Sequence, residues 1–107
     1  MKMKKIFVIS PLGAKTEKEI KENIKWTQKI CRSINDEGYN VIAPVLLYPQ
    51  WYSDTTPEER KKGIEFGLDW MLVCDEVRVF TTLRGISPGM TEEIKAAKAA
   101  GKPITYI

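Results

Sequence analysis

Histidine is absent from the 107 residues, and cysteine occurs only twice, at Cys31 and Cys74. With no histidine and no cysteine pair at ligand spacing, the chain lacks an ordinary set of transition-metal ligands, and no metal or other cofactor is expected. Each cysteine sits inside an apolar pattern. Both read as reduced core thiols of an intracellular protein, and a cytoplasmic location is expected. A long apolar run is also missing, so no membrane span is expected. The opening MKMKKIFVIS is basic and then apolar, as a secretory leader is. Its apolar run of about five residues reaches Pro11, which is too short for the hydrophobic region of such a leader. There is no block of one charge either. Seventeen basic and 14 acidic residues give a net charge of +3, with the lysines spread along helical stretches, so no nucleic acid or membrane partner is expected. No linker, repeat or low-complexity segment divides the chain, and its length suits a single domain over residues 1–107.

What is present is an alternation of short apolar runs and helical patterns. Lys5 to Ser10 (KIFVIS) is a buried strand with a turn at Pro11-Leu12-Gly13. Thr16 to Asn35 has Ile20, Ile24, Thr27, Cys31 and Ile34 near helical spacing. Thr16 and Glu19 form a capping box, and Gly38 is a stop. Tyr39 to Pro44 is a second strand, followed by a long loop, LLYPQWYSD. Thr56-Pro57-Glu58-Glu59 reads as another capping box with proline at the first helical position, and that helix runs to Val73 with Ile64, Leu68, Met71 and Leu72 on one side. Glu76 to Thr81 is a third strand. A third helix starts near Ser87 or Met90 and turns Ile94, Ala97 and Ala100 or Gly101 to the sheet. Pro103 to Ile107 is the last strand. The order β-α-β-α-β-α-β predicts an α/β, three-layer, flavodoxin/Rossmann-like fold whose parallel four-stranded sheet runs 2-1-3-4.

Ligands of such sheets bind at the loops leaving the carboxyl ends of the strands. The first loop, Ser10-Pro11-Leu12-Gly13-Ala14, can offer backbone N–H groups to an anion or serve as a plain turn. It is not a Walker loop, because the second glycine and the Gly-Lys-Ser/Thr ending are missing. The second, Pro44 to Asp54, carries Tyr48, Trp51 and Tyr52, which suit stacking on a base, packing over the sheet edge or a subunit contact. Arg60, just inside the next helix, suits a phosphate or a carboxylate on its own surface, and Glu59 reads as a structural capping residue. The third loop, Thr81 to Met90, carries Ser87 as a helix cap, Pro88 at the first helical position and Gly89 where a ligand can approach backbone. Glu92 and Glu93 then complement the helix dipole, or Glu93 does chemistry there. Asp69 lies within the second helix, on what reads as an exposed face. Asp75 lies at the amino end of the third strand, as a turn or cap residue.

Six segments together carry a resemblance: FVISPLG, Glu22-Asn23, GYNVIAPVLLYPQW, PEERKKGIEFGL, CDEVRVF and SPGMTEEIKAAKAAGKPI. The last, with its Ser-x-Gly-Met-x-x-Glu core, is the most specific. They cover nearly the whole chain, which resembles the nucleoside 2-deoxyribosyltransferase superfamily and, within it, a branch of small uncharacterised domains common in bacteria and phages. The resemblance implies that Glu93 is the nucleophile that attacks the anomeric carbon of a nucleoside. It also implies nearby aspartates that protonate the base or hold the sugar, with Asp69 as the approximate match. The chain departs from the enzymes at Ser87, where they carry an aspartate, and at its plain first loop. It departs from the small domains at Val45, where they carry a histidine. Related enzymes complete their sites across subunits, which implies a homodimer or higher homo-oligomer with Trp51 or Tyr52 at or near the contact.

Two functions follow. One is an enzyme of the N-glycosidic bond of a small-molecule nucleoside or nucleotide, a 2-deoxyribosyltransferase or N-ribohydrolase. Its Glu93 is the nucleophile, Asp69 or Asp54 the acid, and Ser10, Pro11, Gly13, Tyr48, Trp51, Asp54, Arg60, Ser87, Gly89 and Met90 the binding residues. The other is a non-catalytic binder of a nucleotide or nucleotide signal, a sensor or sponge, using the same pocket.

Overall fold

The computed structural model describes residues 2–82 and 85–107. Its elements are β1 (Lys5–Ile9), α1 (Glu17–Asp36), β2 (Asn40–Ile42), α2 (Pro44–Leu47), α3 (Pro57–Val73), β3 (Glu76–Val79), α4 (Pro88–Ala99) and β4 (Ile104–Tyr106), with a single 3-10 turn at Tyr48–Gln50. The four strands form one parallel sheet in the order β2-β1-β3-β4, as expected from the alternation. Leu83 and Arg84 of the expected third loop lie outside the described residues.

β1 is one of the two inner strands and the most buried. Successive side chains of a strand point to opposite faces, so Phe7 and Ile9 go one way and Ile6 and Val8 the other. The first pair joins Met71, Cys74, Val77, Val79, Met90, Ile94 and Ala97 under α3 and α4. The second joins Ile34 and Ala43, with Ile30, Cys31 and Leu46 packed against them, under α1. Helices on both faces make the three layers. No helix among the described residues is long and apolar enough to cross a membrane.

The caps differ from one another in instructive ways. Thr16 Oγ1 accepts the Glu19 N–H at 3.1 Å, and Gly38, with φ of 95°, follows the end of α1. Ser87 Oγ accepts the Met90 N–H at 3.2 Å with Pro88 at the first helical position, so α4 starts at Pro88 and Glu92 and Glu93 fall beyond its first turn. The expected capping box at Thr56 does not form, and Thr56 makes no side-chain cap. Ser53 takes its place: its Oγ accepts the N–H groups of Thr55 and Thr56, each at 3.2 Å, and its own N–H donates to Glu59 Oε1 at 3.2 Å. Glu59 therefore ties the incoming loop to α3 rather than closing a box.

Three further expectations shift. The loop after β2 is not featureless, since α2 and the 3-10 turn occupy its first half. Leu72 does not share the buried side of α3, because it lies 100° from Met71 around the helix and is 62% exposed. Ala100 and Gly101 are exposed, and it is Ala97 that meets the sheet.

Candidate active site

A pocket of about 410 Å³ opens where the chain leaves the carboxyl ends of the strands. Four walls surround it. Ser10, Leu12 and Gly13 come from the end of β1 and the loop after it. Pro44, Val45 and Tyr48 come from α2 and the 3-10 turn. Asp54, Arg60, Gly63, Ile64 and Gly67 come from the approach to α3 and from α3 itself. Ser87, Gly89, Met90 and Glu93 come from the start of α4. The lining holds more carbon than polar surface, with the polar groups few and convergent, as small-molecule sites do.

Local bonding fixes these walls. Ser10 is buried, and its hydroxyl meets that of Thr27 on α1 at 2.8 Å. Asn23 Nδ2 donates to the Leu12 carbonyl at 3.0 Å, which holds the β1–α1 loop down on α1. The glycines of α3 let α2 come close: a Cβ at Gly67 would lie 3.0 Å from Pro44 Cβ, and one at Gly63 would lie 3.4 Å from Tyr48 Cβ. Tyr48 is held from behind, where its hydroxyl accepts the Trp70 indole N–H at 2.9 Å and its ring lies 5.7 Å from Phe66.

Glu93 lines the pocket from α4. Desolvation against its surroundings pushes its pKa from 4.5 up to about 8. Among the described residues no donor or cation pairs with its carboxylate. At the rim, Arg60 Nε lies 3.9 Å from Asp54 Oδ1, and both side chains are nearly half exposed. The pair bridges two walls. The Arg60 guanidinium lies beside Gly89, whose Cβ, if present, would be 3.2 Å from Nη2. Asp54 lies beside Gly13, where a Cβ would be 3.9 Å from Oδ2. A half-exposed pair at this distance holds weakly, which leaves the guanidinium available to an anion entering beside the N-terminus of α4.

Of the residues singled out in the sequence, Ser10, Gly13, Tyr48, Asp54, Arg60, Ser87, Gly89, Met90 and Glu93 all line this pocket. Pro11 is buried outside the lining, and Trp51 is 58% exposed, its ring edge-on to Tyr48. Asp69 is elsewhere. It borders a shallow depression of about 290 Å³ together with Leu68, Met71 and Ala96. Two residues beyond Gly67 is 200° around the helix, so a residue at 69 turns away from whatever Gly67 faces. Tyr52, one of the aromatics suited to stacking on a base, also lines the pocket, whereas sequence reasoning missed Ser53, Ile64, Gly63 and Gly67 and read Glu59 as structural only. The two glycines four apart on α3 were the available signal, since such a groove admits a neighbouring element.

The family profile titled Domain of unknown function (DUF7768) matches residues 4–107. The chain belongs to that family. No curated protein matches this DUF7768 chain in sequence. Among solved structures, one similar protein is the 2-deoxyribosyltransferase of Bacillus psychrosaccharolyticus, with a TM-score of 0.74 at 20% identity over 95% of this chain and 70% of that one. Another is the CMP N-glycosidase BcmB of Clostridium botulinum, with a TM-score of 0.59 at 20% identity over 96% of this chain and 66% of that one. The DUF7768 chain thus has the nucleoside deoxyribosyltransferase-like fold, as its sequence segments implied.

Proposed function

We propose that this protein acts on the N-glycosidic bond of a nucleoside or nucleotide, with Glu93 as the nucleophile. The observation that carries the reading is a desolvated carboxylate facing a pocket of about 410 Å³ at the carboxyl edge of a parallel sheet. The fold shared with a 2-deoxyribosyltransferase and a CMP N-glycosidase supports it.

In the proposed reaction the Glu93 carboxylate attacks the anomeric carbon. The bond from that carbon to the base nitrogen breaks, and the base leaves with the bonding pair and a proton. Water or a second base then displaces the glutamate and gives up its proton to the group that protonated the first base, for hydrolysis or transfer respectively. Asp54, on the pocket rim, is the nearer of the two proposed acids, because Asp69 lies outside the lining. Ser87, Gly89 and Arg60 surround the N-terminus of α4 and suit a phosphate, while Tyr48 and Tyr52 offer ring faces to the base. The protein is proposed to work as a homodimer or higher homo-oligomer in the cytoplasm, with Trp51 or Tyr52 at or near the contact.

The departures at Ser87 and Val45 favour a second reading, a non-catalytic binder of a nucleotide or nucleotide signal in the same pocket. A thermal-shift screen of nucleosides, nucleoside monophosphates and NAD-derived compounds separates them. A ligand at 100 times its dissociation constant adds about 2.7 kcal/mol of stability. Hits that are turned over support the enzyme, hits that persist unchanged support the binder, and no hit from any class counts against both.

A further inference from the structure

We infer that Glu59 selects the base. The pocket takes a nucleobase that presents an exocyclic amino group where its keto counterpart presents a carbonyl oxygen, as cytosine does against uracil and adenine against hypoxanthine. This deepens the reading above and rests on its nucleoside or nucleotide ligand, but not on the chemistry of Glu93.

Among the described residues three carboxylates line the pocket, those of Asp54, Glu59 and Glu93. Asp54 faces the Arg60 guanidinium, and Glu93 is the proposed nucleophile. Glu59 has neither task, and no ion pair among the described residues includes it. One of its oxygens is committed: Oε1 accepts the Ser53 N–H at 3.2 Å, which sets the orientation of the side chain. Among the described residues Oε2 has no donor, and it is not sealed from solvent, so it is an acceptor open to whatever fills the pocket.

That acceptor stands at the aromatic end of the pocket. Glu59, Gly63 and Gly67 follow at intervals of four, so they share one face of α3, the face that meets Tyr48 and Pro44. The amide that Glu59 holds is the one joining Tyr52 to Ser53. The Tyr52 N–H in turn donates to the Tyr48 carbonyl at 2.8 Å. The carboxylate is therefore tied to the segment whose two rings are proposed to stack on the base. Arg60, one residue and about 100° further round the helix, lies instead beside Gly89 at the start of α4. The pocket is thus polarised across the width of α3, with a cation towards α4 and an anion towards the tyrosines.

A carboxylate oxygen only accepts hydrogen bonds. An amino group on the edge of the base gives it a charge-assisted bond, the pairing by which Glu and Asp read cytosine. A carbonyl oxygen in the same place sets its lone pairs against the charge, and the ring N–H of a keto base lies beside that oxygen. One carboxylate therefore attracts the amino base and repels its counterpart, and discrimination draws on both.

The test is calorimetric titration of cytidine against uridine, and of adenosine against inosine, each also as its monophosphate, into wild type and Glu59→Gln. The glutamine keeps an oxygen for the Ser53 N–H and turns an amide NH2 to the pocket. Wild type should prefer the amino member of at least one pair by about 10- to 100-fold. Glu59→Gln should largely erase that preference while melting near the wild type. Glu58→Gln, exposed and outside the lining, should keep it. A preference confined to the pyrimidine pair assigns cytosine, and one confined to the purine pair assigns adenine. Equal weakening of both members by Glu59→Gln overturns the inference and leaves Glu59 as an anchor of the loop. A wild type that binds both members equally overturns it, as does a preference that survives Glu59→Gln. No binding of any of these compounds overturns it too, and if guanosine and thymidine also fail to bind, the proposed function falls with it.

Discussion

The side chain on which the account turns is Glu93. Its pKa stands at about 8 against an ordinary 4.5 because desolvation disfavours the charge. The folded state therefore holds a proton that the unfolded state has lost. The associated stability is complete below about pH 4.5 and is lost as pH rises through about 8. Glu93→Gln has no proton to lose. It should unfold much like the wild type near pH 5 and be the more stable of the two by pH 9, by up to a few kcal/mol, in urea melts at the two pH values. The same carboxylate must be ionised to attack carbon, so base release, as kcat/KM, should climb as pH rises towards about 8, and fall again once the proposed acid no longer holds the proton that the base must receive. Arg60 makes a separate prediction. If its guanidinium receives a phosphate, Arg60→Ala should weaken nucleoside monophosphates by about 10- to 100-fold, as loss of a charge-assisted hydrogen bond does, and leave nucleosides nearly unaffected in calorimetric titration.

Among the elements, α3 does most to shape the pocket. Its glycines are not equivalent. At Gly67 a methyl group would press on Pro44, a rigid ring at the first position of α2, at 3.0 Å, whereas at Gly63 it would meet Tyr48 Cβ at an ordinary 3.4 Å. Alanine favours a helix over glycine by about 1 kcal/mol in either place. Gly63→Ala should therefore raise the melting temperature. Gly67→Ala should lower it, since overpacking costs about 1–3 kcal/mol, and should also disturb ligand binding as Pro44 yields. A reversal of that order in calorimetry would contradict the packing described. The elements were largely legible in the sequence because β1 is an unbroken apolar run of strand length and α1 and α4 carry apolar residues at helical spacing. α2 was not legible: four residues are too few to show a period, and Pro44 reads as a breaker until its place at the first helical position is seen. The capping box at Thr56 failed for a similarly local reason, since Ser53 reaches the orphan N–H groups first.

At the scale of the whole molecule, order 2-1-3-4 places the ends of β1, β2 and the start of α4 at one rim, so residues 10, 44 and 93, far apart in sequence, share a pocket. That convergence could be anticipated from topology, and it located most of the candidate site. What the sequence hid was which side of α3 faces inward. Glu59 read as structural and Asp69 as the approximate match for an acid, whereas the packing of Gly63 and Gly67 against α2 puts Glu59 in the lining and leaves Asp69 outside it. The central claim is that this pocket breaks an N-glycosidic bond through Glu93. Its most direct test is chromatography of free base released from a panel of nucleosides and nucleoside monophosphates by wild type, Glu93→Gln and Glu92→Gln. The account predicts release by wild type and Glu92→Gln and none by Glu93→Gln. Equal release by wild type and Glu93→Gln would contradict it.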